Sequence, residues 1–140
     1  MFNQILLGID GSEHALHAAK TAGDLARNMK SQTLRIVIAF DPVPPYLGEP
    51  NMQAAISARM KEAETILENA LKVVGEIPGE VHTEILEGPP AEAILDVAKT
   101  RKSDLIVMGS RGLGRLRGML LGSQSQKVVQ HASCPVLIVR

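Results

Sequence analysis

The stretch that decides the fold is Leu105-Ile106-Val107-Met108-Gly109-Ser110-Arg111-Gly112, followed by nine residues and then Gly122-Ser123. Its first four residues are apolar and have the length of a buried strand. The glycines allow backbone N–H groups to approach an anion without an intervening Cβ. A helix that begins near Ser123 adds unpaired N–H donors and the positive end of its dipole. The stretch therefore predicts a strand, a phosphate-binding loop and a helix in succession.

The local charge also favours an anion at this loop. Residues 109–140 contain no Asp or Glu, and their Arg and Lys residues are Arg111, Arg115, Arg117, Lys127 and Arg140. Over the whole chain, 15 basic residues balance 15 acidic ones, so no global field favours DNA, RNA or an anionic membrane. A small anion therefore suits the loop better than a nucleic acid does.

Length and composition favour a single domain over residues 1–140, long enough to bury its own core. The one cysteine, Cys134, excludes an intramolecular disulfide and a cysteine-based zinc cluster, and we expect it to pack as a small buried hydrophobe. The N-terminus leads directly into a strand-like run with no signal-peptide pattern, and no apolar run reaches the ~18 residues of a membrane span. We therefore expect a cytoplasmic protein with no membrane insertion.

Apolar runs of strand length alternate with helical patterns, which is typical of βαβ units around a parallel sheet. The predicted strands cover residues 5–9, 34–40, 81–87, 105–108 and 135–139. The predicted helices run from the N-cap Ser12 to Met29, from Met52 to Val74, over residues 91–98, and from Ser123 to His131. Residues 41–50 are too rich in proline for regular structure. The chain is thus predicted to be an α/β protein.

Right-handed crossovers with helices on both faces favour a doubly wound sheet, and both a flavodoxin-like strand order and the order 3-2-1-4-5 satisfy these rules. In the second order the chain reverses between strands 1 and 4, and ligands bind at the carboxyl ends of the strands beside such a reversal. Asp10-Gly11-Ser12 follows strand 1, and the glycine loop follows strand 4. This order would bring the two most site-like segments together.

Common nucleotide-binding motifs do not match the chain. No Gly-Lys-Ser/Thr occurs, so the Walker pattern is absent, and Gly8-Ile9-Asp10-Gly11 has the wrong spacing for a dinucleotide fingerprint. The three aromatic residues, Phe2, Phe40 and Tyr46, are too few to favour a flavin site.

A different set of motifs does match. Strand 1 ends in Gly8-Ile9-Asp10-Gly11-Ser12. The strand Asp104–Gly109 leads into Gly109-x-x-Gly112, nine residues and then Gly122-Ser123, here called the glycine–serine motif. The last strand is in Cys134-Pro-Val-Leu-Ile-Val139. This combination resembles the universal stress protein family, in its nucleotide-binding branch, over essentially the whole chain. The resemblance implies a doubly wound, five-stranded parallel sheet of order 3-2-1-4-5 with helices on both faces. It also implies an ATP site at the reversal and a homodimer formed through the last strand.

The resemblance assigns the nucleotide contacts residue by residue. The residues implied to contact ATP are Gly8, Ile9, Asp10, Phe40, Met108, Gly109, Arg111, Gly112, Gly122, Ser123, Gln124 and Ser125. The first three lie along the nucleotide, Met108 and Gly109 border the ribose and phosphates, and the last four receive phosphate oxygens. Phe40 falls near the adenine, where a smaller aliphatic residue is common, so its ring either stacks on the base or crowds it.

Several of these residues also have a purely structural interpretation. Asp10 can hold a ribose hydroxyl or help to bind Mg²⁺, or it can order the turn through Ser12. Ser123 and Gln126 match the capping box S-x-x-Q, which needs no ligand, and the three motif glycines can serve tight turns. Arg111 is the basic residue best placed in the motif to reach a phosphate. His14 and His17, three residues apart on the first helix, fit a surface pair better than a metal site.

The motif marks no carboxylate or histidine as a base for phosphoryl transfer, which needs an oriented nucleophile and charge stabilisation. We therefore expect an ATP-binding dimeric regulator of the stress response that acts on an unknown protein partner. A slow ATPase or autophosphorylating enzyme, and an interaction scaffold that binds no nucleotide, remain as alternatives.

The last strand, Val136–Val139, is apolar on both faces and lies at an edge in the order 3-2-1-4-5, so a symmetric partner strand is expected to cover it.

Overall fold

Strands and α-helices alternate along residues 1–111 and 121–140, the part of the chain that the computed structural model describes. The strands are β1 (Gln4–Ile9), β2 (Thr33–Phe40), β3 (Glu80–Glu87), β4 (Leu105–Gly109) and β5 (Val136–Val139). The helices are α1 (Glu13–Met29), α2 (Asn51–Val74), α3 (Pro90–Thr100) and α4 (Ser123–His131). Each predicted strand and helix is present, because the hydrophobic periodicity that forms it is local to its own segment.

The five strands form one parallel sheet of order β3-β2-β1-β4-β5. This confirms the predicted order 3-2-1-4-5 and excludes the flavodoxin-like alternative. Gly8 of β1 pairs with Val37 of β2 on one side and with Met108 of β4 on the other. The chain therefore reverses between β1 and β4, and the strands end along one side of the sheet, here called the carboxyl edge.

Two hydrophobic clusters cover the two faces of the sheet. The first packs α1 and α2 on one face, with the alanines of α1 fully buried against β1 and β4. The second packs α3 and α4 on the other face around Leu6 and Ile106. The helices of α1 and α2 touch closely at Gly23, where an added Cβ would lie 2.6 Å from the carbonyl oxygen of Val74. Small residues of α1 thus allow it to lie close both to the strands, at its alanines, and to α2, at Gly23.

Two local predictions need correction. The proline-rich segment 41–50 is not wholly irregular, because Pro45–Leu47 forms a short 3₁₀ helix, for which the fixed φ of proline is well suited. Cys134 is only half-buried, against the second cluster. Partial burial still raises the pKa of the Cys134 thiol, and the negative charge of Asp104 adds to that rise.

Within residues 1–111 and 121–140, no helix combines the length and the hydropathy needed to cross a bilayer.

Candidate functional site

The carboxyl edge collects the predicted site residues that the structure describes. Gly8, Ile9 and Asp10 lie at the end of β1, Phe40 ends β2, and Met108 and Gly109 end β4. Gly122 at the start of α4 joins this edge, because its N–H donates to the carbonyl of Ser110 at 2.7 Å. Gly112 lies outside the described residues. Apart from it, the chain reversal gathers segments that are far apart in sequence.

Asp10 orders the turn between β1 and α1. Its Oδ1 accepts a hydrogen bond from the N–H of Ser12 at 2.9 Å, and Gly11 adopts a φ of 82°, which favours glycine. The turn uses Oδ1, and Oδ2 takes no part in it. The structural interpretation of Asp10 is therefore confirmed, and it does not exclude a ligand contact.

Ser12 links the two halves of the edge. As predicted, it is the N-cap of α1, and its Oγ accepts from the N–H of Ala15 at 3.2 Å. The same hydroxyl donates to the carbonyl of Arg111 at 3.4 Å, while the Arg111 side chain is exposed. The segment after β1 and the loop after β4 thus meet, as the strand order predicts.

The start of α4 differs from the prediction at Ser123. The N-cap is Gly122, with φ −68° and ψ 164°, and Ser123 is the first helical residue. The side chain of Gln126 donates to the carbonyl of Leu121 at 3.3 Å, and its N–H donates to the carbonyl of Gly122 at 3.0 Å. The predicted capping box is therefore wrong, because Gly122 rather than Ser123 adopts the extended cap conformation.

This cap leaves a row of backbone donors at the carboxyl edge. The bond from Gln126 to Gly122 is an i to i−4 helical bond, so the N–H groups of Ser123, Gln124 and Ser125 precede it in the first turn of α4. Such first-turn groups have no acceptor inside their own helix. Together with the positive end of the helix dipole they form a site suited to an anion.

Two side chains of the motif brace the fold. Ser125 is only 3% exposed, and its hydroxyl donates to the carbonyl of Gly109 at 2.8 Å. The side-chain oxygen of Gln124 accepts from the N–H of Ala91 at 2.9 Å, at the start of α3, where Pro89 supplies no side-chain cap. These contacts hold α4 against β4 and α3. The Ser125 hydroxyl is therefore already donated to Gly109, whereas the backbone N–H groups of both residues and the Nε2 amide group of Gln124 are donors outside these two bonds.

The strand glycines at this edge serve close packing. A Cβ added at Gly109 would lie 2.8 Å from the carbonyl carbon and from the Cβ of His14. One added at Gly8 would lie 2.6 Å from Cδ1 of Ile94. Neither residue has a positive φ. Glycine at these two positions lets α1 and α3 approach the strand ends. For Gly109 this is a different role from the tight turn considered from the sequence.

Sequence reasoning missed three polar residues at this edge. Arg59 of α2 holds its guanidinium carbon 6.0 Å from the ring centroid of Phe40, and its Nη1 donates to the carbonyl of Asp41. Nδ1 of His14 and Oγ of Ser110 are hydrogen-bonded at 2.8 Å. A basic residue in a helix and a histidine near a helix start carry no local signal of these distant partners.

In the described parts of the chain, no group of three His, Cys, Asp or Glu side chains could hold a metal ion.

The sheet order and the helix N-terminus define a doubly wound α/β protein whose chain reversal lies between β1 and β4, the position at which such sheets bind ligands. Comparison with known proteins then identifies the family. The model of the universal stress protein family matches residues 1–140. The chain belongs to the universal stress protein family, as the sequence motifs implied.

Individual relatives agree with this assignment. The universal stress protein in the QAH/OAS sulfhydrylase 3′ region of Thermus aquaticus is 49% identical over 140 residues, with 100% of both chains covered. The structure of universal stress protein UspA from Lactobacillus plantarum is 28% identical with a TM-score of 0.88, over 99% of this chain and 98% of that chain. A universal stress protein in complex with cAMP is 29% identical with a TM-score of 0.68, over 99% of this chain and 97% of that chain.

The two serines of α4 make a matched pair for testing this arrangement. Replacing Ser125 by Ala leaves the buried carbonyl of Gly109 without its donor, so the free energy of unfolding should fall by about 1–3 kcal/mol. Replacing the exposed Ser123 by Ala should change it by less than about 0.5 kcal/mol. Urea unfolding followed by circular dichroism measures both. A loss of about 1 kcal/mol in Ser123→Ala would instead indicate the capping box.

Proposed function

We propose that this universal stress protein binds ATP with Mg²⁺ at the carboxyl edge, between the end of β1 and the start of α4. The observation that carries the proposal is the row of first-turn N–H groups of α4, which the Gly122–Ser110 bond ties to the end of β4. The related universal stress protein in complex with cAMP supports an adenine nucleotide as the ligand class.

The phosphates would be held by backbone groups. The N–H groups of Ser123, Gln124 and Ser125 are the donors, and Arg111, an exposed residue, is the cation that we assign to the phosphates. Residues 109–140 contain no Asp or Glu, so no acidic side chain of this segment opposes a triphosphate. We include Gly109, Gly112 and Gly122 in this part of the site.

The sugar, base and metal contacts are proposed from the other strand ends. Gly8, Ile9 and Met108 would border the nucleoside. Asp10 keeps Oδ2 outside its own turn, and a carboxylate oxygen is a ligand type that Mg²⁺ prefers when phosphates supply others. Phe40 would lie near the adenine, with the Arg59 guanidinium over its ring. Because the Arg59 guanidinium already lies over the Phe40 ring, we propose that the adenine contacts the edge of this ring and does not stack fully on its face.

The site is better suited to holding ATP than to consuming it. Transfer of the γ-phosphoryl group needs an oriented acceptor and a group to take its proton. Asp10 holds the turn to Ser12, and the Ser125 hydroxyl holds Gly109. We therefore propose a regulator in which bound ATP alters the surface offered to a protein partner. Tyr46, 86% exposed in the neighbouring proline-rich segment, is part of the surface we propose for that partner.

We further propose that the protein acts in the cytoplasm as a homodimer formed through β5. The carbonyl of Pro135 accepts from Ile106 of β4, and the carbonyl of Val139 accepts from Ser110, the residue after β4. Since backbone groups of alternate residues point to opposite sides of a strand, Val136 and Ile138 direct theirs to the free edge. Pairing of two such edges would satisfy these groups and cover the apolar strand.

Equilibrium titration of the purified protein with Mg-ATP, followed by calorimetry, tests the nucleotide site. We expect saturable binding, and Gly122→Val should weaken it at least tenfold by placing a branched side chain among the donors. The φ and ψ of Gly122 lie in the extended region, which valine also adopts, so the fold should persist. Thr100→Val, at the far end of α3, is the control and should bind as the wild type does. A wild-type protein with no affinity for ATP or cAMP would contradict the proposal.

Substitution of Asp10 separates its two roles. Asn keeps the oxygen that accepts from Ser12 but removes the charge, so Asp10→Asn should retain the wild-type free energy of unfolding within about 0.5 kcal/mol. Its affinity for Mg-ATP should fall about tenfold, as expected for loss of one charge-assisted contact. Asp10→Ala should lower both the free energy of unfolding and the affinity for Mg-ATP. If Asp10→Asn binds Mg-ATP as tightly as the wild type, the carboxylate has a role in the turn alone.

The dimer is tested by removing one outward N–H group. Proline is tolerated in an edge strand where its missing N–H faces outward, so Ile138→Pro should keep the pairing with β4 and convert the dimer to a monomer. Ile138→Ala shortens the side chain but keeps the N–H, and it should remain dimeric. Sedimentation equilibrium measures the mass of each. A dimeric Ile138→Pro, or a monomeric wild type, would count against β5 as the interface.

A further inference from the structure

Ser110, the residue directly after β4, is hydrogen-bonded to three different elements. Its N–H donates to the carbonyl of Val139 in β5 at 2.7 Å, and its carbonyl accepts from the N–H of Gly122 at 2.7 Å. Its Oγ is hydrogen-bonded to Nδ1 of His14 in α1 at 2.8 Å. The residue is only 2% exposed. β5, α4 and α1 therefore meet at one buried serine.

The bond between Ser110 and Gly122 sets the position of the α4 donors. These two residues flank the connection 111–121, and Gly122 is the N-cap of α4. The first-turn N–H groups begin at the very next residue, Ser123. A displacement of Ser110 would therefore be passed directly to the groups proposed to hold phosphate.

His14 approaches Ser110 from a fixed backbone. It lies in the first turn of α1, which Ser12 caps. The backbone of His14 is also in close contact with Gly109, where an added Cβ would lie 2.8 Å from its carbonyl carbon. One helical turn further on, Nδ1 of His17 is hydrogen-bonded to the carbonyl of Arg140 at 2.9 Å. The two histidines thus hold different parts of the carboxyl edge, and only His14 holds Ser110.

We propose that His14 is a positioning residue for nucleotide binding. It holds the hydroxyl of Ser110, and Ser110 in turn holds the N-cap of α4 beside the end of β4. In this arrangement His14 acts through Ser110 and does not itself contact the nucleotide. Without the imidazole the buried hydroxyl loses its bond to α1, and the position of Ser110 loses the restraint that this bond provides. The inference rests on the proposed function, since it concerns the site assigned there to ATP.

The affinity for Mg-ATP of four variants, measured by calorimetry, tests this role. His14→Leu and Ser110→Ala should each bind about fivefold more weakly than the wild type, the effect expected for one hydrogen bond. The double variant should bind no more weakly than either single one, because both remove the same contact. His14→Asn places an amide group near the position of Nδ1 and should restore most of the affinity.

His17→Leu is the matched control, because it removes the same kind of bond one turn away on the same helix. It should bind Mg-ATP within twofold of the wild type. A second measurement needs no nucleotide: amide hydrogen exchange at Gly122, followed by NMR, should be faster in His14→Leu and Ser110→Ala and unchanged in His17→Leu.

The possible outcomes separate this inference from the proposed function. Wild-type ATP affinity in His14→Leu would overturn the positioning role and leave the ATP site intact. An equal loss in His17→Leu would also overturn it, because the effect would then come from α1 as a whole. A wild-type protein that fails to bind Mg-ATP would overturn the proposed function and this inference with it.

Discussion

The close approach of α1 to the sheet is the constraint on which the rest of this structure depends. The buried face of α1 consists of alanines, and β4 ends in Gly109, where any Cβ would collide with the backbone of His14. Since the buried residues of α1 are all small, the helix lies close to the strands, and its first turn is level with the ends of β1 and β4. Ser12 can then cap α1 and also reach the carbonyl of Arg111.

The same closeness explains why the candidate site consists mainly of backbone groups. The side chains of Gln124 and Ser125 hold α4 to α3 and β4, and in doing so they fix the first-turn N–H groups. A helix N-terminus held in this way attracts an anion without a cluster of charged side chains. This agrees with the balanced charge of the chain, 15 basic against 15 acidic residues. In the proposed site the glycine–serine motif would therefore act largely through the backbone geometry that it permits.

Most of the fold could be predicted from local patterns, and the site only in part. The two strand orders that the residues left open differ in which strands are neighbours, a property that no single segment contains. The family resemblance favoured the order that the structure has. Among the site residues, the N-cap Ser12 and the turn at Asp10 were predictable because each involves partners two or three residues away. The capping role of Ser123 was predicted from an equally local pattern, but the N-cap is Gly122, which is also hydrogen-bonded to the distant Ser110.

The sequence by itself determined the alternation of strands and helices, the placement of glycines at the strand ends and the absence of Asp and Glu from residues 109–140. These properties follow from periodicity, side-chain size and charge within short stretches. Only the tertiary structure decided what each polar side chain does at the carboxyl edge. His14 and Ser110 are 96 residues apart in sequence, and Ser12 and Arg111 are 99 apart. Contacts of this kind depend on strand register and on how closely a helix approaches the sheet, and sequence spacing specifies neither.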